Sequence, residues 1–471
     1  MRQYYSAHKI RDAEAPLLAS LPDGALMRRA AWPLSVAIAA ELRARTGGVS
    51  GRRVCAVVGS GDNGGDALWA ATFLRRRGAA ADAVLLNPDR VHRVALGAFR
   101  AAGGRVVQTI SAATDLVIDG VVGIGATGPL RPNAAEVFAA SSAPVVAVDV
   151  PSGIDVTTGT VAGPHVRAAL TVTFGGLKPV HALADCGRVE LVDIGLDLPA
   201  SDLVSVEAAD VAALWPLPGA TDDKYTQGVT GVLAGSATYP GAAILCTNAA
   251  VATHSGMVRY AGTAAAEVVS HLPEVIAVSD YADAGRVQAW VIGPGLGTGH
   301  TESATLRAVL GTDLPVIVDA DALTLLARHP ELVRGRSAPT VLTPHAGEFE
   351  RLAGHPPTPD RVAATRALAT ELGAVVLLKG NVTVIADPAG LTYLNPAGQS
   401  WAATAGSGDV LSGVIGALLA AGRPPAEAAA AAAFVHARAA DLAAHDPGPA
   451  PAPTSASGVA SHIRAAVAGI L

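Results

Sequence analysis

Apolar runs of strand length alternate along this chain with stretches whose apolar positions recur at helical spacing, and the alternation starts afresh halfway. In the first half Val54–Val58, Ala83–Leu86, Leu116–Ile118, Val145–Val148 and Thr171–Phe174 read as strands, and Val189–Val192 as one more that closes the sheet. The second half restarts at Val232–Ala234 and continues through Trp290–Ile292, Val316–Val318, Val341–Leu342, Val375–Leu378 and Thr383–Ala386. Strands alternating with helices in this way predict two α/β units with mostly parallel sheets. Between them, from about Pro199 to Asp223, proline, aspartate and small residues dominate, and the domain boundary is placed there. Asp446–Pro453 reads as a loop before a last helix at Gly458–Ile470.

Several predicted strands run into glycine-rich or acidic turns. Gly59-Ser60-Gly61-Asp62-Asn63-Gly64 follows the first strand and precedes a helix expected over Asp66–Arg77. The spacing matches the dinucleotide fingerprint, which also needs an acidic residue at the end of the second strand. That strand ends in Leu86-Asn87-Pro88, so an ordinary hydride-transfer Rossmann domain is disfavoured. Asp119 ends another strand, before Gly123-Ile124-Gly125-Ala126-Thr127-Gly128, and Asp149 ends a third, before Pro151-Ser152-Gly153. Carboxyl ends of parallel strands face one crevice. Asn63, Asp119 and Ser152 would offer it oxygens that suit a hard monovalent or divalent cation and not zinc. Asp149 remains as an acid/base candidate, its carboxylate left free of helix capping by the proline turn. The plainer reading makes these residues separate helix caps and turns.

The most informative string is Trp401-Ala402-Ala403-Thr404-Ala405-Gly406-Ser407-Gly408-Asp409, which opens an apolar helix over Val410–Ala421. Glycines flanking a serine let backbone N–H groups turn toward one point, where the helix N-terminus adds partial positive charge, and the result suits a phosphoryl group. An aspartate there would repel phosphate, so Asp409 is read as a base that takes a proton from an attacking hydroxyl. A glycine-rich helix cap is the alternative. Lys379-Gly380-Asn381-Val382-Thr383 follows a buried strand and could hold nucleotide phosphate or ribose, or simply be a turn. His345 could contact a nicotinamide ring or its carboxamide, or be structural. There is no Walker A string, so phosphate binding rests on Gly406–Gly408.

Composition narrows the class. The 471 residues exceed what one core organises, and half are apolar, with 51 glycines and 31 prolines, as in a compact, turn-rich α/β enzyme. Net charge is −6, and the run Arg75-Arg76-Arg77 complements a helix end before Gly78, so no nucleic-acid stripe is expected. Met1–Ser6 lacks a signal-peptide core, and Gly413 and Gly416 interrupt the longest apolar helix, so no membrane span is expected. Cys55, Cys186 and Cys246 have neither metal-ligand nor disulfide spacing, and a cytoplasmic protein is expected.

Residues 1 to about 205 resemble the NAD(P)H-hydrate epimerase domain. The matching segments are Asp62-Asn63-Gly64-Gly65-Asp66, Asp119 with its glycine-rich loop, Val148 to Asp155, and Thr171-Val172-Thr173-Phe174 leading to Lys178-Pro179. Asp62 stands where the family usually has asparagine, and Ala67 where it usually has glycine. The resemblance implies a Rossmann-like three-layer domain, potassium held by Asn63, Asp119 and Ser152, and Asp149 as catalytic residue. It also implies substrate contacts from Asp62, Asn63, Gly64, Gly65, Asp66, Asp149 and the loop Gly123, Ile124, Gly125, Ala126, Thr127, Gly128, Pro129.

Residues from about 215 to 471 resemble the ADP/ATP-dependent NAD(P)H-hydrate dehydratases, which have a ribokinase-like fold. The match is carried by Gly235-Ser236 with Tyr239 to Ala243, Gly293-Pro294-Gly295-Leu296-Gly297, Asp319-Ala320-Asp321, Thr343-Pro344-His345-Ala346-Gly347-Glu348, Lys379-Gly380 and the Gly406–Asp409 string. At Thr253-His254-Ser255-Gly256-Met257 the family more often has an arginine and an extra glycine. The resemblance implies Asp409 as catalytic base, with substrate contacts from Ala242, Ala243, Gly295, Gly297, His345 and Asp409. Nucleotide contacts would come from Lys379, Gly380, Asn381, Val382, Thr383, Gly406, Ser407 and Gly408, with ADP or ATP as co-substrate and Mg2+. Joined in this order, the halves resemble a bifunctional bacterial enzyme acting on hydrated NADH and NADPH (NADHX and NADPHX). One half would interconvert R and S hydrates and the other dehydrate the S form. A homo-oligomer with no nucleic-acid or membrane partner is expected. The alternative is a small-molecule kinase that leaves a stable phosphoester, fused to a non-catalytic binding domain.

Overall fold

The computed structural model describes residues 1–254 and 256–471; Ser255, within the 253–257 segment, lies outside the described residues. The chain forms two compact units, one of residues 3–201 and one of residues 1–2 with 202–471. Met1 and Arg2 thus join the second unit, which the linear pattern did not foretell. The Met1 ammonium lies 2.7 Å from Asp210, and Arg2 Nε 3.0 Å from Glu207.

The first unit holds β1 (Arg53–Val58), β2 (Ala80–Leu85), β3 (Arg105–Val107), β4 (Leu116–Gly120), β5 (Val145–Val148), β6 (Leu170–Phe174) and β7 (Arg188–Val192). They pair in the order β3-β2-β1-β4-β5-β6-β7, parallel throughout. Strands buried on both faces read as unbroken apolar runs, which is why β1, β4 and β5 stood out in the sequence. The order reverses between β1 and β4, and such a reversal opens a crevice at the carboxyl strand ends. Gly59 leaves β1 so close to the next loop that a Cβ there would lie 2.0 Å from the Val121 carbonyl oxygen. The following helix begins at Asp62, earlier than the expected Asp66, and runs to Arg76. Gly61 supplies the turn with φ 136°, and Gly64 lets the helix rest where a Cβ would be 2.6 Å from Gly59 O. Asp62 and Asn63 therefore belong to the first turn of the helix rather than to a loop before it.

The second unit holds β8 (Leu203–Ser205), β9 (Val229–Leu233), β10 (Met257–Ala261), β11 (Ile276–Val278), β12 (Ala289–Ile292), β13 (Val316–Val318), β14 (Thr340–Leu342), β15 (Val375–Leu378), β16 (Val382–Ala386) and β17 (Thr392–Pro396). Their order is β8-β17-β16-β15-β14-β13-β12-β9-β10-β11, with β16 antiparallel to both neighbours and the other pairs parallel. Strands β3, β8 and β11 are three residues each, and β10 and β17 carry Arg259 and Asn395. β3, β8, β10 and β17 each include a polar residue, whereas β11, Ile276-Ala277-Val278, is apolar throughout yet was not expected from the sequence.

The helix Ser407–Ala420 is almost wholly buried against the helix Pro240–Thr253 and the sheet. A Cβ at Gly413 would lie 2.2 Å from Cys246 O, and one at Gly416 2.2 Å from a Val291 methyl. The two glycines are the contact points that let this helix sit flush, which fixes where its N-terminus points. At the 253–257 turn His254 is an interior strut: Nδ1 accepts the Gly256 N–H at 2.6 Å, Nε2 lies 3.2 Å from Thr230 Oγ1, and burial pushes its pKa down to about 4. Among the described residues no helix is long and apolar enough to cross a membrane.

Candidate active sites

The reversal of strand order in the first unit opens a cleft of about 760 Å³. Asp62, Asn63 and Asp66 line it from the helix Asp62–Arg76, Gly123, Ile124 and Gly125 from the loop after β4, and Asp149 from the end of β5. Arg11 and Glu14 enter from the helix Ala7–Ser20, and Lys178 from beyond β6; none of the three had been given a role from sequence. The remaining glycines have packing positions. A Cβ at Gly65 would meet the Met27 side chain at 2.7 Å, and Ala126 is buried against Val150, Ile154 and Val156. Thr127, Gly128 and Pro129 continue beyond the cleft lining.

Asp149 caps no helix, but its carboxylate is held by other partners. Lys178 Nζ lies 2.6 Å from its Oδ1, and Thr173 Oγ1 donates to the same oxygen at 2.9 Å. The lysine is itself buried, with further bonds to Thr173 Oγ1 at 2.8 Å and Phe174 O at 3.1 Å. Burial works to raise the Asp149 carboxyl, but the charge and hydrogen bond of Lys178 prevail and hold it below its ordinary value. His181 accepts the Lys178 N–H through Nδ1 at 2.9 Å, so Nε2 carries the proton and donates to Asp149 O at 2.9 Å. Burial pushes this histidine down to about 4, so it is neutral. Lys178 meets Asp149 across 29 residues of chain, and no local pattern in the sequence marks that pairing.

Asn63, Asp119 and Ser152 are brought together around Val122. Asp119 accepts from Ser152 Oγ at 2.7 Å, Ser152 N at 2.8 Å and Val121 N at 3.2 Å. Val122 donates its N–H to Ser152 Oγ at 3.2 Å and accepts from Asn63 Nδ2 at 2.9 Å, which leaves Asn63 Oδ1 beside Gly123. Asp119 is completely buried, and no cationic side chain pairs with it among the described residues. Burial pushes its pKa up to about 6 against those hydrogen bonds. A buried carboxylate short of positive charge, ringed by neutral oxygens, fits a hard cation.

In the second unit the candidate residues gather at the carboxyl ends of β9, β12, β13, β14 and β15. Gly235 N bonds to Pro294 O at 2.6 Å, and a Cβ at Gly295 would meet that of Ala242 at 2.8 Å, so the loops after β9 and β12 close on the start of the helix Pro240–Thr253. Ala243 is buried beneath Gly235, and Gly297 N bonds to Asp321 Oδ2 at 2.8 Å. At the end of β13, Asp319 pairs with Lys379 Nζ at 2.8 Å and accepts from Ser412 Oγ at 2.8 Å. Lys379 also lies 3.5 Å from Glu348, whose carboxylate caps His345 N at 2.8 Å. Lys379 is therefore a cation tethered to two carboxylates. Its Nζ still sits beside Gly408, 3.4 Å from where a Cβ would be. Gly380 is overlain by the Arg361 guanidinium, while Val382 and Thr383 belong to β16 behind Asn381. His345 caps the helix Ala346–Ala353, accepting from Gly347 N and Glu348 N through Nδ1, so its exposed Nε2 carries the proton.

Asp409 stands in the first turn of the helix Ser407–Ala420, behind Gly406 in the left-handed region at φ 83°. The predicted anion hole is narrower than three amides. Ser407 N is bonded to Thr404 O at 3.2 Å, and the Ser407 hydroxyl turns inward to lie 3.0 Å from His436 Nε2. The amides of Gly406 and Gly408 have no protein partner among the described residues. Burial, then the charges of Asp319, Asp321 and Glu348, raise Asp409 to about 7 against the pull of Lys379. A carboxylate tuned near the operating pH is matched to general-base work. Among the described residues, Asp149 at φ 66° and Ala320 at φ 49° are the non-glycine residues with positive φ. One lies in each site, and strain of about 1–3 kcal/mol at such positions persists where function requires it.

Comparison with known proteins follows the same division. Residues 23–180 match the family described as YjeF-related protein N-terminus, and residues 230–461 the family described as NAD(P)H-hydrate dehydratase. The bifunctional NAD(P)H-hydrate repair enzyme of Mycobacterium leprae is 74% identical over 473 residues, with 100% of each chain covered. That of Corynebacterium glutamicum is 39% identical, covering 89% of this chain and 87% of its own. The crystal structure of ADP/ATP-dependent NAD(P)H-hydrate dehydratase from Bacillus subtilis, co-crystallized with ATP/Mg2+, is 31% identical and superposes with a TM-score of 0.51. It matches 57% of this chain and 99% of its own.

Proposed function

This chain belongs to the bifunctional NAD(P)H-hydrate repair enzymes, and from that premise we propose how its two sites divide the chemistry. The protein is an enzyme that epimerises NAD(P)H hydrate and dehydrates it in a nucleotide-dependent reaction. A kinase that leaves a stable phosphoester is set aside, because the relatives named for both activities span the whole chain.

The observation that carries the dehydratase assignment is Asp409, raised to about 7 beside the open amides of Gly406 and Gly408. Hydroxide is a poor leaving group, so the C6 hydroxyl of the S hydrate must first be phosphorylated. Asp409 takes the hydroxyl proton as the oxygen attacks the terminal phosphorus of ADP or ATP and the phosphoanhydride bond breaks. The Gly406 and Gly408 amides and Lys379 meet the developing negative charge. The ring-nitrogen electron pair then expels phosphate, and loss of the C5 proton restores the C5–C6 double bond. Mg2+ would enter with the nucleotide phosphates, as it usually does. His345 Nε2–H, Gly295, Gly297 and Ala242 are assigned to the hydrate.

The first unit interconverts R and S hydrates so that both reach the stereospecific second site. Asp149, kept ionised by Lys178, is the base at C6, with Asp62, Asn63, Asp66 and Gly123–Gly125 around the substrate. Asn63, Asp119 and Ser152 would hold potassium, which supplies the positive charge that buried Asp119 lacks. We assign epimerisation to residues 1–205 and dehydration to residues 215–471, and place the enzyme in the cytoplasm as a homo-oligomer. Expressing the full chain and following a mixture of hydrate epimers by chromatography, with and without nucleotide, tests the division. Without nucleotide the epimers should equilibrate and none should disappear; with it both should be consumed and reduced-nicotinamide absorbance restored.

A further inference from the structure

Asp66 lines the same cleft as Asp149 and is nine-tenths buried. Its Oδ1 is closed to solvent and has no hydrogen-bond partner among the described residues. The charged groups that act on it are all acidic: Asp149, Asp62 and Glu14. Lys178, the buried cation of the cleft, is engaged with Asp149 at 2.6 Å. A buried carboxylate with neither cation nor hydrogen bond is far less stable than the neutral acid. Burial first, then those three negative charges, raise its pKa well above the carboxylate range. Asp149 moves the other way under Lys178. Two carboxyl groups of one site driven to opposite protonation states mark an acid and a base.

Building on the epimerase reading of this cleft, we propose that Asp66 is the proton donor of epimerisation, working with Asp149 as the base. Asp66 gives its proton to the C6 hydroxyl as the C6–O bond breaks; the ring-nitrogen pair becomes the C6–N double bond, and water departs. Water returning to the opposite face forms the new C6–O bond, surrenders its proton to Asp149, and the π pair goes back to nitrogen. Asp66 is left ionised and Asp149 protonated, the state that runs the reverse conversion directly or is reset by proton exchange with solvent. Glu14 is a positioning residue here, its charge helping Asp66 to keep the proton.

The test uses the full chain without nucleotide, so that the dehydratase is silent, and follows R/S interconversion by chromatography. Asp66→Asn should lower kcat by on the order of 10²–10⁴ while KM for the hydrate stays near the parent value. In the parent enzyme, kcat should fall at high pH as Asp66 ionises. Glu14→Gln, on a partly exposed helix, should move that alkaline limb to lower pH, because one charge that holds the proton is gone. In ¹⁸O-water each interconversion should place label at C6. Near-parental kcat in Asp66→Asn, an unmoved limb in Glu14→Gln, or interconversion without label would each overturn the proposal; the last two need no Asp66 variant to fold. If Asp149→Asn also interconverts normally, the epimerase reading of the cleft itself fails. If only Asp66→Asn does, that reading stands and the donor assignment falls.

Discussion

Asp149 and Asp409 are both acids at the carboxyl side of a parallel sheet, yet their surroundings drive them in opposite directions. Asp149 is the more deeply buried, and burial alone should have kept it neutral; one ammonium at 2.6 Å reverses that. Asp409 is less buried but faces Asp319, Asp321 and Glu348, and the nearby Lys379 is already bonded to Asp319 at 2.8 Å, so it rises to about 7. Depth does not decide the protonation state of a buried acid. What decides it is whether the local cation is free to pair.

The comparison is broken most completely by neutralising either acid. Asp409→Asn should cost on the order of 10²–10⁴ in nucleotide-dependent dehydration and leave epimerisation untouched, and Asp149→Asn should show the mirror image. Epimer chromatography resolves both, and crossed losses in either variant would refute two independent sites. Next comes the cation. Lys178→Met removes one half of a buried pair, which costs about 3–5 kcal/mol in typical cases, read as a lower urea midpoint. It should also move the acid limb of epimerisation to higher pH as Asp149 loses the charge that kept it ionised.

Potassium should matter in one unit only. Asp119→Ala, or exchange of potassium for a bulky organic cation, should slow epimerisation several-fold and spare dehydration; equal rates in both salts would remove the metal from the first site. In the second site, dehydration should climb as pH rises through about 7, where Asp409 ionises. Asp319→Asn removes one repelling charge and frees Lys379, and both effects lower the Asp409 pKa, so that limb should shift to lower pH. The smallest effect is on stability. The folded state holds a proton on Asp409 between the ordinary carboxylate pKa and about 7, where the unfolded chain does not, so its contribution to stability falls as pH rises across that window. Asp409→Asn should therefore be more stable than the parent at pH 8, by on the order of 1 kcal/mol. A lower melting temperature there would mean that the acid is stabilising.

Most strands read from sequence are buried on both faces, such as β1 and β15, where the apolar run advertises itself; the edge strand β7 was read although it is partly exposed. Strands with a polar residue inside them, such as Arg259 in β10 or Asn395 in β17, carry no such mark. Among the chemical residues, Asp149, Asp409, Asn63, Asp119 and Ser152 were legible because each follows a strand or opens a helix beside glycine, a local geometry with a local signature. Lys178 and Glu14 were given no role, and Lys379 was given a nucleotide contact with no sign of its pairing to Asp319. They act across 29 residues from Lys178 to Asp149 and 60 from Lys379 to Asp319, and no local pattern records a partner at that distance.

By itself, then, the chain specified two α/β units with mostly parallel sheets, the glycine turns that aim helix N-termini at their crevices, and the acids that stand there. Tertiary structure alone decided which of those acids holds a proton. Ionisation depends on charges within a few ångströms in space, and folding, not sequence spacing, determines whether a lysine stands against Asp149 or is already bonded away from Asp409.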